Sequence, residues 1–185
     1  MQTSSVAAPA PRYGKAARTL HWTIVALLTV QYITAAVMPH IGRKTPMSTS
    51  INLHFSIGII IVAVMMVRLM QRWRDPVPLD AAHAPVWELK LARATHLAFY
   101  FVLLLVPFLG WASASAHAMP VSLFGVIPLP ALAPAKARWA LTAGDVHTWV
   151  MWGLLGLVAL HVFAALYHYF VRKDRVLQSM LPRLR

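Results

Sequence analysis

The 185-residue chain is 59% hydrophobic and 12% charged, about half the charged share of a soluble domain, which marks an integral membrane protein. Its 17 Lys and Arg against 5 Asp and Glu give a net charge of +12. These cations gather at the ends of apolar runs, so orientation in a bilayer accounts for them and no nucleic-acid partner is expected. The absence of cysteine excludes disulfides, iron–sulfur clusters, thiolate zinc sites and covalent c-type haem attachment.

Residues from Met1 to Ala17 are polar and lack the apolar core of a signal peptide, so 1–19 is expected to be a retained cytoplasmic tail. Four apolar segments follow, at about Leu20–Met38, Ile51–Gln71, Thr95–Ala116 and Val146–Val171. Each is near the length of about 20 residues that spans a bilayer. They predict an all-α, integral membrane four-helix up-down bundle over 20–171, with a basic tail at 172–185. Pro107 predicts a kink in the third segment, because proline removes one ladder bond and crowds the preceding turn. The connection from His117 to Asp145 is too broken by proline to span, and is expected to lie on the surface or to re-enter. Thirteen cations flank the N-terminal side of the first segment, the second connection and the C-terminal tail; the other side carries Arg43, Lys44, Lys136 and Arg138. Positive charge marks the cytoplasmic side, so both termini are expected there.

Histidines stand out by depth. His147 and His161 lie fourteen positions apart on the fourth segment, about 21 Å along a helix and on nearly the same face. His21 begins the first segment at its cytoplasmic end, and His54 lies one turn into the second from the outer face. Depth therefore pairs His21 with His161 and His54 with His147. Ionisable residues within a span are costly and point to function. Facing imidazoles at one depth suit bis-histidine ligation of a b-type haem, while a path for a soft or borderline metal ion stays open as an alternative. His168, seven residues beyond His161, shares that face nearer the cytoplasm and is placed to carry protons toward a quinone. His40, His83 and His117 are expected in solvated loops, and His96 at the opening of the third segment. Trp22, Trp73, Trp111, Trp149 and Trp152 read as interfacial belts, and Gly58, Gly153 and Gly156 as points of close packing.

The chain from Tyr13 onward resembles the bacterial cytochrome b561 family, in its four-helix, superoxide-oxidase-like type. The resemblance rests on Leu20–His21–Trp22, Asn52–Leu53–His54 with Gly58, and Met66–Val67–Arg68–Leu69. It continues through Thr95–His96–Leu97 with Pro107 and Gly110, then His147 and His161. The closing run is Ala164–Ala165–Leu166–Tyr167–His168–Tyr169–Phe170, with Lys173–Asp174 and Met180–Leu181–Pro182–Arg183. This resemblance implies a bacterial inner-membrane oxidoreductase with two haem b groups, on His21/His161 and His54/His147. It further implies ubiquinone as acceptor near His168, and an outer electron donor for which superoxide is the candidate. An anionic donor would be steered by Arg43, Lys44, Lys136 and Arg138. The alternative is a haem-bearing anchor that passes electrons between quinone and a separate dehydrogenase or hydrogenase.

Overall fold

The computed structural model describes residues 13–42, 44–75 and 85–181; Arg43 and His83 lie outside the described residues. Four long helices dominate: α1 (Lys15–Val37), α2 (Thr49–Arg74), α3 (Val86–Ala116) and α4 (Arg138–Tyr167). All four are long and apolar enough to cross a membrane. Between α3 and α4 lies a hairpin of β1 (Ser122–Leu123) and β2 (Ile127–Pro128). The chain leaves α4 through a π-helical turn at His168–Arg172 and ends in α5 (Val176–Met180).

Local chemistry sets several boundaries. Ser48 caps α2 by accepting from the Ile51 N–H at 3.3 Å, and Arg72 and Arg74 in its last turn complement the dipole. Three helices begin well before the point hydropathy indicated, α1 at Lys15 rather than Leu20 with Lys15 and Arg18 in its opening turns. α3 starts at Val86 rather than Thr95, because Glu88, Lys90 and Arg93 interrupt the apolar run without interrupting the helix. α4 starts at Arg138 rather than Val146 for the same reason, with Arg138 and Asp145 in its opening turns. His96 and His147 therefore stand inside their helices instead of opening them.

Packing runs α1 on α2, α2 on α3 and α3 on α4. Ile24, Ile57, Ile61, Met65, Leu103 and Leu154 form the central apolar cluster. Gly144 brings α3 and α4 together, since a Cβ there would collide with the Ser113 side chain. α4 meets α1 mainly through side chains, and the Tyr32 hydroxyl donates to the Met151 carbonyl at 2.7 Å across that gap. Phe101, Trp149 and Phe163 are among the apolar side chains left facing outward, as expected of a surface solvated by lipid.

The connection after α3 lies on the surface, one of the two expected outcomes, and does not re-enter. It is a pinned hairpin over one end of the bundle. Ser56, fully buried on α2, donates to the Asn52 carbonyl at 2.7 Å and accepts from the Phe124 N–H at 2.7 Å. Trp111 donates to the Pro130 carbonyl at 3.1 Å, and Ser115 accepts from the Leu132 N–H at 3.1 Å. Gly125 takes the turn at φ +74°, where a Cβ would also come within 3.0 Å of the Asn52 amide. At the opposite end Arg18 and Trp22 donate to the Leu181 and Met180 carbonyls at 3.1 and 2.9 Å, tying α5 back to α1. These are the hairpin end and the tail end.

Ser56→Ala should leave the Phe124 N–H without its Ser56 acceptor, at about 0.5–1.5 kcal/mol. Hydrogen exchange should then accelerate in residues 121–130 while the four long helices keep their protection.

Candidate functional site

Four helices contribute imidazoles to the interior. Toward the hairpin end, His54 from α2 faces His147 from α4 with ring centres 6.2 Å apart and planes at 73°. Toward the tail end, His21 from α1 faces His161 from α4 at 6.3 Å and 59°. α4 runs unbroken between its two members, so the pairs are separated by about 21 Å of helix.

The spacing has a chemical meaning. Two imidazole nitrogens bound to one metal at ~2.0 Å each, with ~1.1 Å from nitrogen to ring centre, put the ring centres ~6 Å apart. Both pairs stand at that separation. His147 Nδ1 pairs with the Val106 carbonyl at 2.9 Å, so as the Nδ1–H tautomer it keeps the Nε2 lone pair free. A backbone carbonyl on the far nitrogen is the usual way a protein orients a ligating imidazole. That carbonyl precedes Pro107, which contributes no N–H to the helix ladder. Gly110 provides the room: a Cβ there would approach the His147 ring to 3.0 Å. His54 is buried against Gln31, whose amide nitrogen lies 3.3 Å from its Nε2. The donor set and spacing fit an iron held by two imidazoles at each level.

The tail-end site is richer than a pair. His96 faces His161 at 6.1 Å, and Phe99 packs edge-on to the same ring at 5.4 Å. Arg68 of α2 donates to the Ala17 carbonyl at 3.2 Å, one turn before His21. Sequence reasoning missed His96 because hydropathy started α3 too late and left that residue at an interface. Gln31 carried no signal, being one amide in an apolar run. Gly110 was visible only as a family marker, without its contact to His147.

Other singled-out residues lie apart from the pairs. His168 begins the π-helical turn, its Nδ1 2.5 Å from Asp174 Oδ2. Lys44, Lys136 and Arg138 are exposed and make no ion pair among the described residues. His40 is exposed, and His117 ends α3 with its Nδ1 2.9 Å from the Ser113 carbonyl.

Four apolar spans with facing imidazoles in the interior define a membrane haem protein. The particular family follows from comparison: the profile of the prokaryotic cytochrome b561 family matches residues 12–183, and the chain belongs to that family. It is 31% identical over 179 residues to cytochrome b561 homolog 2 of Escherichia coli (strain K12), covering 93% of this chain and 92% of the relative. It is 30% identical over 175 residues to cytochrome b561 homolog 1 of the same organism, covering 93% and 98%. A probable superoxide oxidase, CybB, of Yersinia pestis is 28% identical over 167 residues, covering 90% and 93%. The protein is thus a multi-pass inner-membrane cytochrome of an electron-transferring, haem b-binding family.

Gly110→Leu should push the His147 ring from its place, since the Cβ alone already meets it at 3.0 Å. Bound haem b per chain should fall in a pyridine haemochrome assay, because overpacking displaces that ring.

Proposed function

We propose that this protein carries two haem b groups, one on His21 and His161 and one on His54 and His147, and transfers electrons from an outer donor to ubiquinone. The observation that carries the reading is the pair of ring separations, 6.3 and 6.2 Å, both sharing α4. Bound haem b supplies reversible one-electron chemistry. The four imidazoles would hold it, and the protein contributes their orientation and a water-poor interior. Charge orients the bundle: cations crowd the tail end, so that end and both tails face the cytoplasm. The hairpin end then faces outward, and residues 1–19 and 172–185 flank a transmembrane cytochrome domain.

Superoxide is our candidate donor. The probable superoxide oxidase among the relatives supports it, and so does the placement of exposed Lys44, Lys136 and Arg138 near the outer face. Together with Arg43, these cations would draw an anion toward the His54/His147 level. Two superoxide ions give two electrons and leave as dioxygen; ubiquinone takes those electrons with two cytoplasmic protons. His168 is our proton group at the quinone. Its Nδ1 side is held by Asp174, so the opposite nitrogen is available to exchange a proton.

The deciding measurement is a reduced-minus-oxidised spectrum of the purified chain with haem quantification. Two low-spin b haems per chain are expected, with His54→Ala and His161→Ala each losing a different one. A colourless protein, or variants that lose nothing, would sink the assignment. Superoxide should reduce the wild type directly. A chain inert to superoxide that co-purifies with a peripheral dehydrogenase or hydrogenase would instead establish the anchor reading. His168→Gln should slow ubiquinol formation about 10²-fold, the range of a lost acid–base group, while reduction of the chain by superoxide keeps its rate.

A further inference from the structure

α2 repeats the spacing that sets the two imidazole levels on α4. Its His54 and Arg68 lie fourteen residues apart, as His147 and His161 do, so they share nearly one face about 21 Å apart. His54 meets His147 toward the hairpin end. Arg68 therefore stands at the tail-end level, where His21 of α1 and His96 of α3 both face His161 of α4. Each of the four long helices brings a basic side chain to this one level.

What the level lacks is a negative charge. The chain has five carboxylates, Asp75, Asp80, Glu88, Asp145 and Asp174, and none lies within the four apolar segments. Arg172 holds Glu88 at 3.5 Å, and His168 holds Asp174. Arg68 is half-buried and has no carboxylate partner among the described residues. One terminal nitrogen donates to the Ala17 carbonyl at 3.2 Å, which ties α2 to the turn of α1 before His21. That contact uses no imidazole nitrogen, so it does not compete with iron for His21 or His161. A guanidinium has five N–H donors, and most of this fork is left unused. Its charge reaches all three imidazoles of the level.

A charge within a span is costly unless it is paired, and leucine or methionine would occupy this place without that cost. Haem b brings what the level lacks, two propionate carboxylates on one edge of its ring. A guanidinium can hold a carboxylate through two parallel N–H···O bonds, stronger than neutral ones. Two axial nitrogens fix an iron yet leave the flat ring free to turn about their common axis. A cation off that axis removes the freedom.

We propose that Arg68 anchors a carboxylate of the tail-end haem and so fixes how that haem is turned about the His21–His161 axis. The inference rests on the two-haem reading above. Pairing also cancels a negative charge beside the iron, which favours the state carrying the added electron.

The test compares wild type with Arg68→Gln and Arg68→Lys as full-length, haem-loaded proteins. Their haem is labelled with heavy carbon at the propionate carboxylates, which separates its infrared bands from those of protein and lipid. Haem per chain, both midpoint potentials and the labelled bands in the reduced-minus-oxidised infrared spectrum are measured. Glutamine removes the charge. Reduction of the haem that His161→Ala removes should be disfavoured about tenfold, or ~59 mV for a one-electron couple, and a labelled band should move. The haem that His54→Ala removes should keep its potential. Lysine keeps the charge without the fork, so the potential should stay near wild type while the labelled band still moves. Loss of the tail-end haem from Arg68→Gln with retention in Arg68→Lys would equally support the anchor. Loss of that haem from both variants, labelled bands unchanged in both, or equal effects on the two haems would overturn it. The guanidinium would then serve packing through Ala17 or a lipid phosphate. Fewer than two haems in the wild type would overturn the two-haem reading instead.

Discussion

An imidazole inside a lipid-solvated bundle has no water to bond with, so placing one there is costly unless protein groups or a bound metal take up its nitrogens. The rest of this structure depends on that constraint. α4 carries two such rings at opposite levels, and the other helices are arranged so that rings from α1, α2 and α3 come to meet them. Trp149, Trp152 and Phe163 of α4 are exposed, while His147 and His161 turn toward the neighbouring helices. One continuous helix thereby becomes the spine of two sites.

The two ends satisfy the constraint differently. At the hairpin end the histidines are held by neutral groups, the Val106 carbonyl and the Gln31 amide, beneath a connection pinned by Ser56, Ser115 and Trp111. At the tail end a third histidine and Arg68 join the cluster, and α5 folds back onto α1. A pinned end whose rings meet neutral groups and a polar end that carries most of the cations make the two sides of the bundle chemically different.

Glycine and proline carry much of the local design. Gly110 and Gly144 remove Cβ atoms that would strike His147 and Ser113, and Pro107 sits beside the carbonyl that orients His147. None of these residues supplies chemistry. They determine how near the chemistry-bearing helices can come, at the cost of weaker intrinsic helix propensity, which a membrane-embedded helix tolerates because its backbone bonds have no competing water.

The number of spans, their alternation and the relative depths of His21, His54, His147 and His161 were determined by the sequence alone. Bilayer thickness and helical rise turn residue counts directly into depth. Hydropathy misplaced the starts of α1, α3 and α4, because charged opening turns reach into the interface without leaving the helix. It therefore concealed the inward position of His96. Tertiary structure alone decided which groups surround the interior imidazoles. Gln31, the Val106 carbonyl and the space at Gly110 come from other helices, and their directions depend on how those helices rotate and pack. Depth is a one-dimensional quantity that a chain can encode in its spacing; orientation about each helix axis is a property of the assembled bundle.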